Sequence, residues 1–170
     1  MKKLSVLFSL VAILTIASFT AKAQVSATAT SSATIITPIA ISKSIDLNFG
    51  NVAVSPSLAG TVQLSPASTR TAGGGVTLPV VTGTVSAAKF TVTGAAGSTF
   101  SISLPAAPIT LTSGSNTMTV GTFTSNPTPT GTLTAGTQDV FVGATLNVAA
   151  GQAAGVYTNA TGLVVTVNYN

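Results

Sequence analysis

Downstream of residue 23, apolar and polar residues alternate along most of the chain, and the polar partner is most often threonine or serine. A two-residue period puts one class of side chain on each face of an extended strand, and β-branched residues suit that surface. The last residues show it clearly. Leu163, Val165, Val167 and Tyr169 would share one face, Thr166 and Asn168 the other, with Val164 the one apolar residue on the polar side. This closing strand should complete the domain. The longest regular run is Val140, Val142, Ala144, Leu146 and Val148.

Other stretches extend the pattern. VSATATSSATII at the start of the mature chain alternates with Val25, Ala27, Ala29, Ser31, Ala33 and Ile35 on one face, and Pro38 interrupts it before Ile39 to Ile41 resumes. Ile45, Leu47 and Phe49 alternate in IDLNFG, where Gly50 permits a turn. Val62 and Leu64 predict a short strand, and Ser65 to Gly75 a polar glycine-rich loop holding Arg70. In Val76 to Val81, Pro79 points to an edge strand or bulge. Phe90 and Val92 predict a strand, as do Phe100, Ile102 and Leu104, and Gly94 to Gly97 between them would make the two a hairpin. A second hairpin is expected from Ile109 and Leu111 through Ser113 to Asn116 into Met118 and Val120, and Thr122 to Gly136 should be loop. The count is about nine or ten short strands with no helical period, which predicts an all-β, immunoglobulin-like antiparallel sandwich. A transmembrane barrel would need longer segments and aromatic girdles, and the chain has two Tyr and no Trp.

Met1 to Ala23 departs from this pattern. Lys2 and Lys3 precede an apolar run from Leu4 to Thr20, and Ala21-Lys22-Ala23 supplies a small-x-small cleavage site, so residues 1–23 read as a signal peptide. The product would be exported, with residues 24–36 an N-terminal extension or first strand and 37–170 the sandwich domain. No integral membrane segment is expected in it. Its charges are Lys43, Arg70 and Lys89 against Asp46 and Asp139, a net charge of +1, too few and too scattered for a nucleic-acid footprint.

The chain has no His, Cys, Glu or Trp. That removes imidazole acid-base chemistry, thiolate nucleophiles and His/Cys metal sites together. Asp46 and Asp139 are far apart in sequence and read as structural carboxylates rather than a catalytic pair. Gly73-Gly74-Gly75 lacks the context and lysine of a phosphate loop, and Asn159-Ala160-Thr161 matches the glycosylation triplet as a Thr-rich chain would by chance. No catalytic, cofactor or metal site is expected, and the chain does not read as an enzyme.

LNFG at Leu47 to Gly50, VGATLNVAAGQAAGVY at Val142 to Tyr157 and LVVTVNYN at Leu163 to Asn170 resemble the corresponding parts of spore-coat-protein-U-like subunits and archaic chaperone-usher pilins. FTVTGAAGSTFSISLP and Met118 to Val120 are also similar to a widespread family of small secreted bacterial proteins of unassigned function. The pilin resemblance implies an incomplete sandwich whose missing strand is donated by the next subunit. Val25, Ala27, Ala29, Ala33 and Ile35 would be the donor residues, and Leu163, Val165, Val167 and Tyr169 would line or border the groove. It implies copies of the chain or related subunits as partners, a periplasmic chaperone and usher, and a final place at the cell surface. The chain departs from the pilin pattern in having no cysteines to staple its early strands. The other expectation is a self-contained secreted binding or adhesion module.

Overall fold

The computed structural model describes residues 24–159 and 161–170, and the signal peptide expected at 1–23 lies outside them. The chain divides after Ile35, and Ile36–Asn170 forms one compact unit. In chain order its strands are β1 (Ala40–Ile45), β2 (Ala53–Val54), β3 (Gly60–Leu64), β4 (Arg70–Gly74), β5 (Val76–Thr77) and β6 (Ala88–Thr93). They continue as β7 (Thr99–Ser103), β8 (Ile109–Ser113), β9 (Asn116–Asn126), β10 (Thr130–Thr132), β11 (Thr137–Val148) and β12 (Thr166–Tyr169). A single 3₁₀ turn at Thr134–Gly136 precedes β11.

The longest alternation becomes the central strand. β11 buries Val140, Val142, Ala144, Leu146 and Val148 on one face. One edge of β11 pairs with β6 along its first half and with β3 along its second, while the other edge pairs with β9. β1 adds beyond β6, β4 beyond β3 and β8 beyond β9, giving a seven-stranded antiparallel sheet. The β9 register shifts by one residue between Gly121 and Thr124, where Thr122 takes φ 49° as the bulge.

A three-stranded sheet, β10-β7-β12, lies over the first half of β11, and a small β2-β5 pair completes the strands. Burial divides accordingly. Phe90, Val92, Val140 and Val142 meet Phe100, Leu133, Val165 and Val167 between the sheets. The second half of β11 gathers a neighbouring cluster with Phe49, Val62, Leu64, Val76 and Val120. The architecture is the expected all-β sandwich of antiparallel sheets.

Local details differ from the alternation reading. β6 and β7 are not a hairpin: β6 pairs with β1 and β11, β7 with β10 and β12. The Gly94–Gly97 turn crosses between layers, held by Gly97 N–H to Leu133 O and Leu133 N–H to Ser98 O, both 2.8 Å. Crossing sets the apolar face of β6 against that of β7, which side-by-side pairing would have left uncovered. β4 forms inside the expected Ser65–Gly75 loop. β9 runs on to Asn126, and β10 arises within the expected Thr122–Gly136 loop. β1 stops at Ile45, although Leu47 and Phe49 still turn inward. Gln24–Ile35 contains no strand, and each of its residues is exposed, Val25 at 91% and Ile35 at 97%.

Candidate functional site

The closing segment is positioned by its apolar face. Val165 and Val167 are buried, Leu163 and Tyr169 half-buried, and all four join the inter-sheet cluster. β12 pairs with β7 in unbroken register from Thr166↔Ser103 to Tyr169↔Phe100. Asn170 N–H then donates to Thr99 O at 3.2 Å. In an antiparallel ladder alternate residues turn both backbone groups to the same neighbour. Asn168 and Thr166 therefore bond toward β7, and Val165, Val167 and Tyr169 turn their N–H and C=O groups away. No strand among the described residues takes them up.

Two of the other edges are guarded. β1 carries a bulge between Lys43 and Ile45 and the Lys43–Asp46 ion pair, and β8 is capped by the Thr112↔Thr158 bridge. Such charges, bulges and covers discourage edge-to-edge pairing. Leu163 to Asn170 has no charge and no proline, and its pairing has no bulge. β12 has no strand paired along its outer side, and β1 of the larger sheet comes close to it.

Tyr169 joins these parts. Its hydroxyl accepts Ala95 N–H at 2.7 Å and donates to Thr37 O at 2.7 Å, so one phenol links the closing strand, the 94–97 turn and the first residues of the compact unit. A Cβ at Gly94 would stand 2.2 Å from Tyr169 Oη, so glycine there admits the hydroxyl. The structure thus brings Leu163, Val165, Val167 and Tyr169 together on one edge. Val25, Ala27, Ala29, Ala33 and Ile35 lie in the exposed stretch ahead of Ile36.

Arg70, expected in a polar loop, has a structural role. It begins β4, and its Nη1 donates to Phe49 O at 2.7 Å and Asn51 O at 2.9 Å, holding the LNFG turn. The missed signal was Gly50: a glycine turn leaves backbone carbonyls in need of a donor. Asn159 is likewise structural, its amide donating to Thr110 O.

Both carboxylates are held by lysines, Asp46 by Lys43 and Asp139 by Lys89 at 2.9 Å. Hydrogen bonds from Lys89, then from Thr91 at 2.8 Å, hold the Asp139 carboxyl below its ordinary value of 3.8. A lowered folded value means that the contribution to stability is present above the unfolded value and lost as pH falls through the folded one. An NMR pH titration should therefore place the Asp139 midpoint below 3.8, and Lys89→Met should move it upward; an unchanged midpoint in the variant would show that the pair is not formed in solution.

The sequence pattern of a family described as a domain of unknown function, DUF4402, matches residues 39–169. The chain belongs to that family. The DUF4402 match begins at Ile39, just ahead of β1, and ends at Tyr169, the last residue of β12, so it spans the sheets described above and leaves out Gln24–Pro38. No curated protein and no solved structure matches the chain.

Proposed function

We propose that this protein is a non-enzymatic, exported structural subunit of a surface fimbria or filament, assembled by β-strand donation. The observation that carries the reading is the unpaired outer edge of β12, in a chain that also presents an exposed, alternating N-terminal stretch without a strand of its own. Residues 24–36 of one copy would add to β12 of the next. Val167 and Tyr169 would supply backbone hydrogen bonds, and Val25, Ala27, Ala29, Ala33 and Ile35 would face the Leu163-Val165-Val167 surface. Alanine buries little area, at roughly 25 cal/mol per Å², so the ladder of backbone bonds would hold the junction more than side-chain anchors. Copies of the chain or related subunits are the partners, with a periplasmic chaperone and usher in transit.

A second reading has its own support. Phe100, Val92 and Val140 are fully buried within a single copy, as expected of a self-contained binding or adhesion module.

The two separate on one gel. Native protein extracted from the cell surface and run in SDS without boiling should give a ladder that collapses to one band on boiling. Deleting Gln24–Thr34 should abolish the ladder and leave the monomer folded. A single band in both lanes, or a ladder that persists in the deletion, would sink strand donation.

A further inference from the structure

Where β3 and β9 begin and β11 ends, the large sheet carries a shallow, open trough of about 570 Å³. Asn147 stands in the middle, paired with Thr61 on one side and Thr119 on the other. Neighbouring strands lie about 4.8 Å apart, so these three side chains form a row about 10 Å long. Thr117, Met118 and Gln152 extend the lining.

The two carboxamides are set in place. Asn147 Nδ2 donates to Thr119 Oγ1 at 3.3 Å, and Gln152 Nε2 donates to Thr117 O at 3.1 Å and Tyr157 Oη at 2.8 Å. Tyr157 in turn donates to Ala153 O at 2.8 Å. With their amino groups engaged, the amide oxygens of Asn147 and Gln152 accept no hydrogen bond from the described residues.

The lining selects by what it lacks and what it offers. Lys43, Asp46, Arg70, Lys89 and Asp139 all lie elsewhere, so no counter-charge is present for a phosphate, a carboxylate or a cation. An apolar ligand would need a largely apolar wall, and the apolar side chains of Met118 and Val148 are packed with the core on the other face of their strands, so the row itself presents hydroxyls and amides. Threonine hydroxyls donate and accept, and amide oxygens accept. A neutral sugar has the matching chemistry: hydroxyls that both donate and accept, and a C–H face for the threonine methyls.

We propose that this trough is a binding site for a neutral oligosaccharide. Asn147 and Gln152 orient sugar hydroxyls, and Thr61 and Thr119 flank them. The lining shares no residue with β12, so the site stands or falls independently of strand donation.

The test is an NMR titration of the isotope-labelled, full-length secreted protein with maltohexaose, cellohexaose and chitohexaose, and with an acidic hyaluronan oligosaccharide for comparison. At least one neutral oligomer should give saturable shifts centred on Thr61, Thr119, Asn147 and Gln152. Asn147→Ala should weaken it about tenfold with unchanged circular dichroism and melting, since Asn147 is exposed. Asn147→Leu, which keeps the shape and removes the acceptor oxygen, should weaken it similarly. No saturable shift up to about 10 mM of any neutral oligomer would overturn the site. So would shifts that survive both variants, or a preference for the acidic oligosaccharide.

Discussion

Replacing Phe100 with alanine should remove about 3–5 kcal/mol of stability, a large share of the roughly 5–15 kcal/mol a domain commonly has. Phe100 is fully buried in the middle strand of the smaller sheet, with Phe90, Val92, Leu133 and Val140 in the same cluster. Its ring lies over Gly131 of β10, where an added Cβ would come within 2.4 Å of the ring carbon Cζ. Because Gly131 has no side chain to move inward and the walls belong to hydrogen-bonded sheets, the space left by the ring cannot collapse. Urea unfolding should show a lower midpoint with an unchanged slope. A loss below about 1 kcal/mol would mean that the two sheets are not held together here.

Gly50→Ala should cost about 2–4 kcal/mol through a different cause. Gly50 has φ +68°, and a Cβ there would lie 2.3 Å from Thr82 O and 2.7 Å from Val85 Cγ2, with Arg70 Nη1 at 3.1 Å. The methyl group would have to displace the Thr82 backbone, whose carbonyl accepts Asn51 N–H at 2.7 Å, or disturb the guanidinium that bonds Phe49 O and Asn51 O. Gly97→Ala separates sterics from conformation: Gly97 also has positive φ, at +79°, but nothing lies within 4 Å of its added Cβ. It should lose only about 1–2 kcal/mol. Equal losses in thermal melts of the two variants would show that the LNFG turn is not clamped as described.

Alternation was a good guide to which face of each strand is buried and a poor one to its partners. Val140 to Val148 could be read as a strand because five apolar side chains mark one face, and the β8-β9 hairpin because Ser113-Gly114-Ser115-Asn116 carries its own turn signal. β4 could not, since RTAGG owes its strand to backbone pairing with β3 and has only Ala72 turned inward. The layer crossing between β6 and β7 was hidden for a related reason: a period of two is the same whether the next strand lies beside or above. At the β12 edge the apolar residues were visible, but the two bonds of the Tyr169 hydroxyl join positions 74 and 132 residues away in sequence, and no local pattern encodes such distances. The trough was invisible for the same reason, because Thr61, Asn147 and Thr119 meet only through the register of three strands.

The bond from Tyr169 to Thr37 also makes the compact unit nearly circular. Its first and last residues meet at one corner, one phenol apart. Tension applied through both ends would be borne at that corner before it reached β11, the strand both core clusters share. The sheets would be shielded while the fastening gave way, much as a clasp opens before the links of a chain.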